Sequence, residues 1–178
     1  MSVAEDRENL LRKRLSGHPN KALTMAIAAE ALADDAVLDM LFRLLYHGDA
    51  PLRWRAAWVL EKVGISHPLL VAGERRGLIR QLMQPGTPDG LSRLLLSILY
   101  HLPDEEILDV PFFNFLLDKM GDLQSPPGVQ ALAMKLACRM SRKAPDLHQE
   151  FLYIVRDMEL DYYSAGVRAV ARNCLKCG

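Results

Sequence analysis

The sequence predicts an all-α chain, a short α-solenoid of stacked antiparallel helix pairs. Three observations lead there. Apolar residues recur at helical spacing along nearly the whole length. Stretches of β-branched residues alternating with period two, the mark of half-buried strands, are missing. A helix-start pattern also returns at nearly constant intervals, the signature of a repeat architecture.

The elements follow in order. Residues 3–16 read as a first helix, with Ser2 and Glu5 as a capping box and Leu10, Leu11 and Leu15 on one side. Gly17, His18 and Pro19 break it. An alanine-rich helix follows over 20–33. Asp34 caps the next, 35–47, which Gly48 closes. Pro51 opens a helix through Val63 that Gly64 ends. Ser66 and Pro68 start a segment reaching Gln84, weakened by Gly73 and Gly77. A turn cluster occupies 85–90. Leu91 to Leu102 is helical and Pro103 stops it. Asp104 to Asp109 reads as one short turn. Further helices are expected over 111–120, 129–142, 145–158 and 164–176.

Four helix starts lie side by side at Pro51, Gly90, Gly128 and Gly166, spaced 39, 38 and 38 residues apart. Their second position is Leu52, Leu91, Val129 and Val167. Their sixth is Ala56, Leu95, Ala133 and Ala171. A less regular unit starts at Asn20. The reading is therefore a capping helix (1–19), units near 20–50, 51–89, 90–127 and 128–164, and a terminal helix (165–178). A lone helix pair cannot bury both apolar stripes, but stacked pairs share one core. The small residues Ala56, Ala57, Ala133 and Ala171 would let the first helix of each pair approach its neighbours closely. A compact helical bundle that repeats by accident is the alternative.

Residues 49–64 read DAPLRWRAAWVLEKVG. This resembles a HEAT-type (armadillo-like) helical repeat: an acidic residue (Asp49), an aliphatic–arginine pair (Leu52–Arg53), two alanines (Ala56–Ala57), a leucine (Leu60) and a closing glycine (Gly64). Val167–Arg168 and Ala171 repeat part of it. The resemblance implies an α-α superhelix whose role is to present a binding surface, with an Asp–Arg ladder between repeats. Ser92 and Gln130 stand where Arg53 and Arg168 stand, so an unbroken ladder is not expected here. A HEAT-like pattern specifies fold well and function poorly.

The totals narrow the function classes. Lys and Arg number 22 and Asp and Glu 22, for a net charge of zero. That argues against the strong overall positive field of many nucleic-acid binders. No segment approaches the roughly 20 apolar residues of a membrane span. The N-terminal stretch is charged and lacks the apolar core of a secretory signal, and three cysteines are too few for a disulfide framework. A cytoplasmic protein is the expectation.

Few residues suggest chemistry. Cys174 and Cys177, at i and i+3, could meet on one helix face as a redox pair. The plainer reading, which we favour, is one buried and one exposed thiol at a helix end. Zinc would need two further ligands in a second pair. The five histidines show no metal-binding spacing and several fall at helix ends, where they suit the dipole. Phosphate loops and the nucleophile elbow are missing. No cofactor is expected.

Binding features are more numerous. Trp54 and Trp58 share a helix face beside Arg53 and Arg55. They fit either packing at a repeat junction, which we favour, or base stacking. Arg75, Arg76 and Arg80 could line one helix and hold an anion, while Asp104, Glu105, Glu106 and Asp109 could meet a basic partner or an adjacent helix N-terminus. A solvated face is the plain reading of both groups. In PFFNFLL (111–117), Phe113 lies off the line of Phe112 and Leu116, and we favour core for it.

The expected function is a non-catalytic protein-interaction module or scaffold. Its second helices would line a concave face carrying Arg43, Arg76, Arg80 and Lys119, with Trp54 as a further binding candidate. The partner expected is another protein. A homodimer through the terminal helix, or a nucleic-acid-binding relative of the HEAT-like glycosylases that remove alkylated bases, are the alternatives.

Overall fold

Helix after helix starts where a side chain supplies the missing hydrogen bond. Asn20, Asp34, Asp49 and Asp109 each accept a bond from a first-turn backbone N–H. The computed structural model describes residues 3–176, and among these there is no strand. The helices are α1 (Val3–Ser16), α2 (Lys21–Ala33), α3 (Asp35–His47), α4 (Ala50–Ser66), α5 (Pro68–Ala72), α6 (Arg75–Leu82), α7 (Asp89–His101), α8 (Val110–Gly121), α9 (Pro127–Ser141), α10 (Pro145–Asp157) and α11 (Ala165–Lys176). A short 3₁₀ turn spans Leu160–Tyr162. Ser2 of the expected capping box lies outside the described residues.

The helices stack in two layers as an α-solenoid. The first layer is α2, α4, α7, α9 and α11, each packed on the next. The second is α3, the α5–α6 segment, α8 and α10. Ala56, Ala57, Ala133 and Ala171 are fully buried in the first layer, where a small side chain permits close helix approach. Leu94, Leu95, Leu96, Ile98 and Leu99 make α7 buried almost all round, and Arg93 is its one exposed side chain between Leu91 and Leu99. Packing between chain neighbours is closest for α3 with α4 and α8 with α9. Those hairpins straddle the expected boundaries near 50 and 127.

Neighbouring first-layer helices approach one another more closely than neighbouring second-layer helices do. The alanine-rich set above permits that approach.

Three local expectations change. Gly64 does not end α4, which runs on to Ser66, where Ser66 Oγ donates to the Lys62 carbonyl (2.9 Å) and Pro68 follows. Gly64 serves instead for close approach: a Cβ there would sit 3.3 Å from Ile98 Cγ2 of α7. The segment from Ser66 to Gln84 is not one helix. It breaks at Gly73–Glu74, where the Glu74 carboxylate accepts a bond from the Tyr46 hydroxyl of α3 (3.0 Å). Asp104 to Asp109 does not form a helical turn. It is an irregular crossing, bent at Glu106–Ile107 and held from outside: Arg75 donates to the Pro103 carbonyl and pairs with Glu105 (3.2 Å), while Arg139 pairs with Asp104 (2.7 Å). Two of the acidic residues offered for a basic partner thus meet the chain's own arginines, and Asp109 caps α8. Phe113 is buried in the core beside Phe112.

No Asp–Arg ladder runs between repeats at Asp49 and Arg53. Asp49 caps its own helix, and Arg53 Nε donates to the Gly48 carbonyl at the end of α3 (2.7 Å). Gln130, at the same repeat position, does the same work: its amide donates to the Asp122 carbonyl at the end of α8 (2.8 Å). Thr87 Oγ1 serves α6 through the Gln81 and Gln84 carbonyls. The requirement met is a donor for the last carbonyls of a second-layer helix, and three residue types satisfy it.

Candidate functional site

The outward side of the first layer concentrates cations and aromatic rings. Helices α4, α7, α9 and α11 carry nine Lys or Arg against two acidic residues, Glu61 and Asp89. Helices α3, α6, α8 and α10 carry six of each. A neutral chain is therefore polarised across its two layers, which the overall charge conceals.

Two depressions lie where first-layer helices meet. One of about 300 Å³ is bounded by Arg53, Trp54, Gln81, Gln84, Gly86 and Gly90, among others. Trp54 and Trp58 are half-buried, packed on the core, with ring centroids 5.4 Å apart. Gly90 admits the Trp54 ring to the α4–α7 junction, since a Cβ there would lie 3.3 Å from its Nε1. Gly86 holds the turn beside it at φ +78°, where glycine is favoured. One turn beyond Trp58, buried Glu61 pairs with Lys62 (3.1 Å) and Arg93 (3.7 Å), and the Arg93 stem covers Gly128.

The other depression, about 250 Å³, is lined by Tyr100 of α7, by Lys135, Cys138 and Arg139 of α9 with Arg142 just past its end, and by Val170, Asn173 and Cys174 of α11. Lys135 and Arg139 lie over the Tyr100 ring at 5.5 and 5.4 Å. Arg139 also donates to the Tyr100 and Leu99 carbonyls at the end of α7 (2.5 and 3.2 Å). The Cys138 and Cys174 side chains hydrogen-bond to each other, and Arg142 Nη2 stands 3.9 Å from Cys138 Sγ. The bond from Cys174, then Arg142, draw the Cys138 thiol down to about 7 against the opposing effect of burial.

This has a measurable consequence. Alkylation of Cys138 by iodoacetamide should follow a pH profile with its midpoint about 7, and Cys174→Ser should move that midpoint upward by removing the largest cause. Because the folded state holds this thiol below its unfolded value, its contribution to stability is complete above the unfolded value and is lost as pH falls through about 7. A midpoint unchanged in Cys174→Ser would show that the neighbouring thiol has no such effect.

The residues singled out from sequence do not form one cluster. Arg43 on α3 is exposed and pairs with Glu8 of α1 (3.3 Å). Arg76 and Arg80 are exposed one turn apart on α6, Arg80 near enough to Tyr46 to act on it electrostatically. Lys119 lies on α8 over the Phe115 ring (5.8 Å). Trp54 belongs to the other layer. Arg75 turns inward, as described. Cys174 is buried and Cys177 lies outside the described residues, so the thiol that meets Cys174 across helices is Cys138, 36 residues away in sequence. Helical spacing within one segment does not reveal such a pair; the 38-residue repeat puts Cys138 of one unit two positions from the equivalent of Cys174, which was the available signal.

Other chemistry finds little footing. Ser141 Oγ donates to the Cys138 carbonyl (2.9 Å) and meets His148 Nδ1 (2.8 Å), but Ser141 is fully buried and serves the α9–α10 corner. Among the described residues no three His, Cys, Asp or Glu side chains gather as a metal would need, and no helix is long and apolar enough to cross a membrane.

No curated protein and no solved structure matches this chain. A family model described as a HEAT repeat domain matches residues 11–177. With two stacked layers, alanine-lined helix contacts and a match over nearly the whole length, the chain belongs to the HEAT repeat domain family.

Proposed function

We propose that this chain is a non-catalytic interaction scaffold that receives an acidic protein segment along its first layer. The observation that carries this reading is the charge segregation: nine cations against two carboxylates on α4, α7, α9 and α11, with Glu61 already buried and paired. HEAT repeats commonly mediate protein interactions, and the first-layer helices pack in one unbroken row. Lys135 and Arg172 are exposed there, while Trp54 and Tyr100 supply flat apolar contact beside them.

Fluorescence anisotropy with a labelled glutamate-rich peptide tests it. Binding should weaken at least tenfold in Lys135→Glu/Arg172→Glu and fall steeply with salt, since exposed charges are screened over about 8–10 Å. Arg76→Glu/Arg80→Glu serves as the second-layer control. Should that control abolish binding while the first-layer variant keeps it, the second layer, with Arg43 and Lys119, is the surface instead.

A nucleic-acid ligand is the second reading, favoured by Trp54 and Trp58 beside arginines on a cationic side. A labelled duplex at low salt gives a flat titration on the first reading and a salt-dependent curve on the second. The base-excision version has no support from the site. Glu61, the carboxylate nearest in sequence to Trp58 on that helix, is buried between two cations. Self-association through α11 would compete for the same end of the stack; light scattering should return the mass of one chain.

A further inference from the structure

The thiol pair between α9 and α11 is not needed for an interaction scaffold. Two buried thiols from different helices touch each other at the wall of an open depression whose other polar groups are mostly cationic. Lys135, Arg139 and Arg142 line the same wall, and Arg142 lies 3.9 Å from Cys138 Sγ. That surrounding selects the reagent. A soft metal cation would have to enter against three positive charges, whereas a thiolate is stabilised by them and a small neutral oxidant meets no electrostatic barrier. A depression of about 250 Å³ has room for such a molecule.

We propose that Cys138 and Cys174 form a peroxide-responsive modification site that closes reversibly to a disulfide, joining α11 to α9. Cys138, as thiolate, attacks one oxygen of hydrogen peroxide. The S–O bond forms, the O–O bond breaks, and the departing hydroxide takes a proton to become water. Cys138 is then a sulfenic acid. Cys174, as thiolate, attacks that sulfur. The S–S bond forms, the S–O bond breaks, and the released hydroxide takes up the proton Cys174 gave away. Two thiols lose two electrons and one peroxide becomes two waters. A dithiol reductant reverses the step by exchange.

The division of roles follows from position. Arg142 stands beside Cys138, so Cys138 is the attacking thiol, and Cys174 already contacts it and resolves. At pH 7 a thiol titrating at about 7 is half ionised. An ordinary cysteine near 8.5 is only a few per cent ionised, but its thiolate is the stronger nucleophile, so the net gain in rate is roughly threefold.

The test uses the full chain with its three cysteines and Cys177→Ser in parallel. Each is treated with equimolar hydrogen peroxide at pH 7, quenched with an alkylating agent, digested, and read by mass spectrometry. The expected result is a Cys138–Cys174 linked peptide in both proteins, two hydrogens lighter than the reduced pair, and lost on treatment with dithiothreitol. Cys174→Ser should instead yield Cys138 labelled by dimedone, a sulfenic-acid trap, because the resolving thiol is gone. Circular dichroism of Cys174→Ser verifies that it is folded. A Cys174–Cys177 link as the main product would overturn the proposal. So would both thiols remaining alkylatable after peroxide, or no dimedone labelling of Cys138 in folded Cys174→Ser.

Discussion

Leu95→Ala should lower the unfolding free energy by about 2–5 kcal/mol, the range for emptying a fully buried leucine site that collapses only partly. Leu95 is completely buried at the sixth repeat position of α7, where the equivalent residues are Ala56, Ala133 and Ala171. It is the one large side chain in that set, so it fills space between α7 and neighbours whose own side chains at that level are a single methyl group. Helix α7 packs against α4 on one side and α9 on the other, and no other first-layer helix is packed against both. A cavity there weakens the interface that couples the two ends of a stack in which each repeat leans on its neighbours. Urea unfolding followed by circular dichroism should show a lower midpoint and a broader transition, as the N-terminal helices and α9–α11 begin to melt separately. A loss under about 1 kcal/mol would mean that the site closes over the missing atoms and that α7 is not the coupling element.

Arg139→Ala should cost about 2 kcal/mol, less than the leucine but with a distinct local signature. Its guanidinium serves two carbonyls in the last turn of α7, the Tyr100 ring and Asp104 at once. The carbonyls account for most of the loss, because a part-buried acceptor left without its charged donor bears the desolvation cost. Asp104 is largely exposed and its ion pair adds little. The crossing from Pro103 to Asp109 would then be held from outside by Arg75 and by the long bond from Lys143 to the Ile107 carbonyl (3.4 Å). Cleavage by a glutamate-specific protease after Glu105 or Glu106 should accelerate, both being exposed. Arg139→Lys should recover only part of the stability, since an ammonium cannot fork to two carbonyls and a carboxylate together. Unchanged cleavage in Arg139→Ala would remove Arg139 from any role in holding the crossing.

Much of the fold was readable in the chain. The 38-residue recurrence of Leu52, Leu91, Val129 and Val167 marks the buried first turn of each first-layer helix, and all four are buried. Local signals placed the helix starts well: Asp34 ahead of α3 and Pro145 at the start of α10 act through their own backbone, within a few residues. They misled where a residue's work is done at a distance. Gly64 looked like a terminator because glycine commonly ends helices, but it answers to Ile98, 34 residues away. The acidic stretch after Pro103 looked like a helix start or a docking patch, but Arg75 and Arg139 reach it from two other helices.

The charge pattern shows the same division. The helices, their repeat, their apolar stripes and the small residues that let some of them draw together are all written in the chain. Each of these depends on periodicity along one chain, which a line of letters records in full. Which helices stack into one layer, that the cations of four separate helices share it, and that Cys138 comes beside Cys174 emerge only from packing. These depend on how far apart neighbouring helices settle and how each is turned about its axis. That balance is struck by side-chain volumes from several repeats at once, and no single segment encodes it.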